Sequence, residues 1–568
     1  MSEDRIDIGL KGVRRTVAVP KDMRDLPLST LLRRAGVALN TRCGERGLCD
    51  GCMVQTTSGS LINSTSGVRV DGRWAGQLRA CQHQLDGDAI LRLDVPDRSL
   101  LEQKPSVVTE FTTPTIDRVD PIWRADADYV GGAWQARVDH RPPPASPLGV
   151  AIDIGTTTVV VLLVDLASGA ILSRTADFNQ QLRLGDDVLT RITRCVDPEG
   201  LHELHRAIVE ETILPLILTA ASLAEVDAND VVCGSIAGNT TMLHLLLGID
   251  PTPLGVVPFT PIFLKHRILR GDLLAPWNRT CDVAPVLHLL PGCSAYVGAD
   301  LGCGMVATHL LTAPAPSVLI DVGTNGEMIL SLGSQILGCA TAAGPAFEGS
   351  GLTCGTRAVD GAITHVVITT DPLHMEMLQV GTGRPIGFCG SFYVDFLAQA
   401  RRAGLLDESG RYTAEAMQRW PHRFTKTQCA GHAMRIANGV AGTELIVSEA
   451  DIAKLLAAKA AIAAGVQTLL ARALLGTDSV HRLFLAGGFG LHIDVPNAIA
   501  MGLLPGFTPS QVEVVGNTSL AGAWMCLCST AALDDTIEAA SDVSVIELNQ
   551  DPGFEDRYIE MLSLPDPV

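Results

Sequence analysis

The sequence predicts a multidomain protein: a small α+β unit at the N-terminus, then two related α/β lobes that take up most of the 568 residues. Three observations predict it. The first hundred residues alternate like short strands around a glycine-rich loop with three cysteines, "CGERGLCDGC" at 43–52. At 148 the texture changes, and an apolar strand runs into "DIGTTT" (153–158). The phrase returns as "DVGTNGE" (321–327) after another apolar strand, so the larger part reads as a degenerate internal repeat.

Residues 1–98 form the first unit. "RIDIGLKGVRRTVAVP" alternates as a hairpin, "LSTLLRRAGV" has the apolar spacing of a short helix, and "MVQTTSGS" and "ILRLDVP" read as strands. Residues 99–147 lose the pattern. Their prolines, as in "HRPPPASP", suit an extended connector or a short, poorly packed middle segment. The lobes, 148–316 and 317–548, each open with strand, Gly-Thr turn, strand, turn, strand. The Ala-rich, acidic-starting stretch at 449–474 predicts a long helix. Residues 549–568 are a tail.

The net charge is −19 and no basic cluster interrupts it, which argues against nucleic-acid binding. The chain start carries no charged-then-apolar leader pattern, and runs such as "VVVLLV" (159–164) are strand-sized, so no membrane partner is expected. Fifteen cysteines without a secretion signal point to a reducing compartment, the cytoplasm, where clustered thiols bind metal more often than they pair.

Cys43, Cys49, Cys52 and Cys81 are spaced C-x5-C-x2-C with a distant fourth cysteine. A [2Fe–2S] cluster needs four converging thiolates, and Gly44, Gly47 and Gly51 let backbone N–H groups approach its sulfides. Structural zinc is the alternative, although zinc sites usually offer two C-x2-C knuckles. The order hairpin, helix, loop matches a β-grasp ferredoxin. His83 reads as a surface residue or a supporting neighbour rather than a ligand. The remaining cysteines, among them Cys195, Cys233, Cys339 and Cys354, read as buried small hydrophobes. If on a strand, Cys526 and Cys528 would point to opposite faces, which argues against a site there.

A Gly-Thr turn after a strand exposes N–H groups and hydroxyls to phosphate oxygens, and an Asp at the strand end can hold Mg2+ directly or through water. No G-x-x-x-x-G-K-[ST] occurs, so a P-loop is excluded. One D-x-G-T is a weak signal; two in a duplicated context, followed by "LAGGFG" (485–490), are a strong one.

The order DIGTTT, DVGTNGE, AGGFG resembles the phosphate-1, phosphate-2 and adenosine motifs of the acetate kinase, sugar kinase, Hsp70 and actin (ASKHA) superfamily, in which ATP lies between two ribonuclease-H-like lobes. A β-grasp [2Fe–2S] domain in front of such a module resembles the reductive activators of corrinoid-dependent enzymes. The phrases "GDDVLTRI" (185–192), "AGNTTMLHLLLGI" (237–249), "GPAFEG" (344–349) and "SEADIAKLLAAKAAIAAG" (448–465) agree with it. The resemblance implies an ATPase that restores Co(II) corrinoid (cobalamin) of a methyltransferase system to Co(I) by one-electron transfer. It also implies an upstream electron donor and a homodimer. Its cluster ligands are Cys43, Cys49, Cys52 and Cys81. Asp153 and Asp321 become the Mg2+–phosphate carboxylates, with Gly155, Thr156, Thr157, Thr158, Gly323, Thr324, Asn325 and Gly326 around the phosphates. Gly487, Gly488, Phe489 and Gly490 border the adenosine. Glu327 and Glu348 are polar candidates for catalysis, or caps of turns. One departure is expected: members carry a middle domain between ferredoxin and ATPase, and only about 50 residues are available here. The alternatives are an ATP-driven electron donor to another low-potential acceptor, a sugar-kinase-like phosphotransferase with an accessory redox domain, and a non-enzymatic binding scaffold.

Overall fold

The structure, a computed structural model, describes residues 4–10, 13–37, 39, 52–71, 73, 76–86, 90–95, 109–116, 118–122, 146–185, 187–270, 285–349, 351–427, 431–439, 442–488 and 492–567. The chain divides into two compact units, Met1–Lys104 with Phe178–Ala207, and Pro105–Asp177 with Ile208–Val568.

In the first unit, β1 (Asp4–Leu10) and β2 (Val13–Val19) form the expected hairpin, in register from Asp4↔Val19 to Leu10↔Val13. Helix α1 (Leu28–Arg34) follows, then β3 (Met53–Ser58), β4 (Gln77–Arg79) and β5 (Ile90–Val95). The sheet order is β2-β1-β5-β3-β4, with β1 and β5 parallel neighbours. First and last strands thus meet in the middle, the β-grasp arrangement. Alternation sends Ile6, Ile8, Leu91 and Leu93 inward, where Leu28, Leu31 and Leu32 of α1 join the same core. Phe178–Ala207 organises around the fully buried Arg191, whose guanidinium donates to Gln181 Oε1 and the Gly185 carbonyl, both at 2.9 Å.

In the second unit two six-stranded sheets repeat one plan. The first contains β6 (Leu148–Ile154), β7 (Thr158–Asp165), β8 (Ile171–Phe178), β9 (Val231–Gly238), β10 (Arg267–Arg270) and β11 (Val286–Leu289), in the order β8-β7-β6-β9-β11-β10. The second contains β12 (Ser317–Val322), β13 (Gly326–Ser331), β14 (Ile336–Thr341), β15 (Arg482–Ala486), β16 (Val512–Gly516) and β17 (Val543–Val545), in the order β16-β15-β12-β13-β14-β17. In both, the second strand is antiparallel to the first and the fourth parallel to it, and the strand beyond the fourth, β11 in the first sheet and β16 in the second, runs parallel to the fourth. This is the ribonuclease-H-like plan, present twice. Strands covered on both faces lose their alternation, and β9 is buried at every position.

Helices α2 (Thr240–Leu246), α3 (Ala299–Ala307), α4 (Gly390–Arg402), α5 (Glu449–Arg472) and α6 (Thr518–Cys528) cover the sheets. The long helix expected at 449–474 is α5, opened by a capping box between Ser448 and Asp451. By length and composition α5 is apolar enough to cross a membrane, contrary to the strand-sized apolar runs read from sequence, yet 78% of its apolar window is buried inside the protein.

Helix α6 follows β16 of the second sheet in sequence but packs on the first. Ser235 on β9 donates to the Ala523 carbonyl at 2.6 Å, Gly149 on β6 leaves room for Leu527, and Trp524 donates to the Gly169 carbonyl at 3.0 Å. Cys526 and Cys528 therefore lie on a helix, both buried, rather than on a strand. Cys195, Cys233 and Cys339 are buried as expected, whereas Cys354 is half-buried.

The connector is better packed than its sequence suggests. Thr112 N–H donates to the Val515 carbonyl and Asn517 N–H to the Glu110 carbonyl, both at 3.0 Å, so 110–112 extend the edge strand β16. Further along, Asp120 N–H donates to the Cys528 carbonyl at 2.9 Å and Thr530 N–H to the Asp120 carbonyl at 3.0 Å. Both ends of α6 are thereby held by the same short segment.

Candidate nucleotide and cluster sites

The two Asp-x-Gly-Thr phrases occupy equivalent places, each Asp being the penultimate residue of the first strand of its sheet. The turns are tight. Gly155 N–H donates to the Thr158 carbonyl at 2.9 Å and Gly323 N–H to the Asn325 carbonyl at 3.0 Å. A Cβ on Gly155 would stand 2.7 Å from the Thr158 oxygen, so this turn needs glycine.

Both turns open onto one cleft, lined by Asp153, Gly155, Thr156, Thr157, Thr158, Asp321, Gly323, Thr324, Asn325, Glu327, Glu348, Gly487 and Gly488 among others. Gly326 is instead buried against Ile462 and Thr341. Phe489 and Gly490 lie outside the described residues. Gly487 has φ +100°, and a Cβ there would meet the Val322 carbonyl at 2.5 Å and Asp321 Oδ1 at 2.8 Å. The "AGGFG" phrase thus approaches the second turn through its first glycine.

Glu348 joins the turns. Its Oε2 accepts from Thr157 Oγ1 at 2.8 Å and its Oε1 from Thr324 Oγ1 at 2.7 Å, and the two hydroxyls are 3.5 Å apart. The carboxylate caps no turn; it bridges hydroxyls of both lobes. Glu327 faces Asp321 directly across the β12–β13 ladder, and like charges in that position repel. Burial pushes the Asp321 carboxyl up to about 8, with the charges of Asp300, Asp153 and Glu348 adding to it. Burial likewise lifts Asp300 to about 7, opposed by the Leu301 N–H and reinforced by Asp153. Glu327 is raised well above the carboxylate range by burial, then by Asp300 and Asp321. Burial raises Asp153, against the hydrogen bonds from Ser519 and Asn517.

An oxygen-only set of carboxylates that repel one another suits a hard divalent cation. Among the described residues no three acidic, His or Cys side chains converge closely enough to ligate an ion unaided.

Several cleft residues escape the sequence reading. Asn239 donates to Thr156 Oγ1 at 3.1 Å. Asn517 and Ser519 hold Asp153, at 2.8 and 2.7 Å. Asp300 and Arg357 also line the cleft. A signal for the asparagines was available: "GNTT" at 238–241 recurs as "GNTS" at 516–519, each time where a strand enters a helix. Both asparagines cap their helices, accepting from Met242 N–H and Leu520 N–H at 2.9 Å. Asp300 and Arg357 sit in phrases without such repetition.

In the first unit, Cys52 and Cys81 are both buried in the β-grasp core, and Ala80 N–H donates to the Cys52 carbonyl at 3.0 Å. Their backbones are therefore adjacent although 29 positions separate them in the chain. Gln82 Nε2 points at Cys81 Sγ from 3.9 Å, the kind of weak N–H···S contact that stabilises a thiolate. Two buried cysteines with adjacent backbones are compatible with half of a [2Fe–2S] ligand set; Cys43 and Cys49 lie outside the described residues. His83 is buried with Nδ1 2.8 Å from the Arg79 carbonyl, so of the two expected roles, surface residue or supporting neighbour, the surface one is excluded.

Residues 315–567 match the family described as the C-terminal domain of RACo, the ASKHA domain, and residues 148–313 match the RACo middle region. The middle region is therefore the first ribonuclease-H-like sheet, which corrects the expectation that it is missing from the connector. The chain is 33% identical over 423 residues to the corrinoid activation enzyme RamQ of Eubacterium limosum, spanning 72% of this chain and 69% of that protein. It is 24% identical over 442 residues to the [Co(II) methylated amine-specific corrinoid protein] reductase of Methanosarcina barkeri, spanning 70% and 73%. The solved structure of a reductive activator for a corrinoid, iron–sulfur protein superposes with TM-score 0.70 at 30% identity, over 99% of this chain and 98% of that one. The chain belongs to the RACo family of corrinoid reductive activators.

Proposed function

We propose that this chain is an ATP-dependent reductive activator that returns the inactive Co(II) corrinoid of a methyltransferase system to Co(I). Family membership supports the substrate class. The observation that carries the ATP half is the convergence of Thr157 and Thr324, from the two repeated turns, on the single carboxylate of Glu348. It gathers hydroxyls of both repeated turns within one hydrogen-bonded cluster, which supports a nucleotide site there that can influence how the lobes close.

Asp153 and Asp321 hold Mg2+ and phosphates, in part through water, and the hydroxyls and N–H groups of both turns receive phosphate oxygens. Gly487 and Gly488, with Phe489 and Gly490, border the adenosine. Gly326, being buried, has a packing role instead. Cys43, Cys49, Cys52 and Cys81 hold a [2Fe–2S] cluster, which supplies the one electron that cobalt gains and is refilled by an upstream donor.

The test is an anaerobic absorption assay of this protein, a reductant and a Co(II)-loaded corrinoid protein, with and without Mg·ATP. Growth of the Co(I) band only with ATP, and its loss in Cys49→Ser and in Asp321→Ala, supports the reading. Bleaching of the cluster with no cobalt change for any corrinoid protein tried overturns it.

A further inference from the structure

We infer that Asn517 and Ser519 are positioning residues for Asp153, through which helix α6 sets the phosphate-facing geometry of the first turn. The inference rests on the nucleotide reading above and deepens it.

Ser519 Oγ–H donates to Asp153 Oδ1 at 2.7 Å, and Asn517 Nδ2–H donates to Asp153 Oδ2 at 2.8 Å. With one donor on each oxygen, the carboxyl plane turns only by losing a bond, so the remaining lone pairs keep one direction toward the cleft. The donors are themselves held. Asn517 Oδ1 accepts the Leu520 N–H at 2.9 Å, and its backbone N–H donates to the Glu110 carbonyl at 3.0 Å. Ser519 is 3% exposed and Asn517 8%, so water competes poorly for either bond.

The chemistry of the donors also suits the place. Asp153 stands among Asp300, Asp321 and Glu327, and a charged donor would neutralise the group that has to face a cation. An amide and a hydroxyl orient the carboxylate while leaving its charge in place. Both donors come from the chain that follows β16 of the second sheet, whereas Asp153 is on the first. A displacement of α6 is thus converted at once into a displacement of Asp153.

The experiment measures steady-state ATP hydrolysis by the full-length protein with its corrinoid partner. It compares Ser519→Ala, Ser519→Thr and Asn517→Ser. Ser caps a helix as well as Asn does, so Asn517→Ser keeps the cap and removes the amide N–H that reaches Asp153 without adding a charge. Expected are a fall in kcat of about 10-fold or more for Ser519→Ala and Asn517→Ser, KM for Mg·ATP changed less than about threefold, and a higher Mg2+ concentration for half-maximal rate. Ser519→Thr returns kcat to within about threefold, and thermal midpoints of all three stay within about 3 °C of the parent. A kcat within about twofold of the parent in both Ser519→Ala and Asn517→Ser overturns the inference, as does a loss that tracks thermal stability and is not rescued by threonine. If the parent protein binds nucleotide in a calorimeter and hydrolyses it, only the positioning claim is at stake; if it does neither, the nucleotide reading falls and takes this one with it.

Discussion

Asp321 and Glu327 oppose each other on neighbouring strands, with Asp300 and Asp153 close enough to add to the repulsion. A carboxyl raised in the fold stabilises it fully below the unfolded value near 3.8 and loses that contribution as pH rises through the folded value, about 7 for Asp300 and about 8 for Asp321. Without divalent cation, the thermal midpoint therefore falls between about pH 4 and pH 8, and Mg·ATP recovers it most at the alkaline end. Asp321→Asn flattens the profile and abolishes ATP-dependent cobalt reduction; calorimetry across pH checks the first and the absorption assay the second. Arg357 is the lone arginine among described cleft residues that otherwise include five carboxylates. A triphosphate brings further negative charge there, so Arg357→Ala raises KM for ATP about 10-fold, measurable in the hydrolysis assay.

At the scale of elements, the start of α5 is tied to the cleft loop that carries Glu348. Asp451 completes the capping box with Ser448 and also accepts from Thr353 N–H and Oγ1, at 2.9 and 3.1 Å. Asp451→Ala leaves those donors without their acceptor and costs about 2 kcal/mol in urea unfolding, against about 1 kcal/mol for Ser448→Ala. Gly487 closes the gap between β15 and the second turn. Gly487→Ala forces a Cβ against the Val322 carbonyl and Asp321, so nucleotide affinity drops by about 10-fold or more while the β-grasp unit keeps its spectrum.

For the whole molecule, each unit has its own core, and the predicted losses separate accordingly. Cys81→Ser removes the visible absorption of the cluster and leaves nucleotide binding by the second unit within about twofold. In the second unit, Phe111 packs 6.4 Å from the Trp524 ring with the Arg174 guanidinium 4.8 Å above it, holding the connector beside α6. Phe111→Ala costs about 1–2 kcal/mol, since the ring is only half-buried, and lowers the ATP stimulation of cobalt reduction more than it lowers hydrolysis. The ratio of the two rates is the quantity to measure.

Much of this was legible in the chain. Strand alternation, the hairpin of 5–19, the long capped helix and the duplicated strand–turn–strand opening are local patterns, dictated by side-chain periods of two and 3.6 and by the needs of glycine. The repeat alone places two Asp-x-Gly-Thr turns at equivalent ends of two sheets. Convergence is different, because it depends on atoms far apart in sequence. That Glu348 joins Thr157 to Thr324, that α6 packs on the sheet it does not follow, and that Asn517 and Ser519 reach Asp153 across 364 and 366 positions required the packed chain. Gly326 looked phosphate-facing because a residue's neighbours in sequence do not say which face packing will cover. Local spacing wrote the turns and the caps; packing of α6 on the first sheet and the reach of Glu348 to both turns brought them to a single cleft.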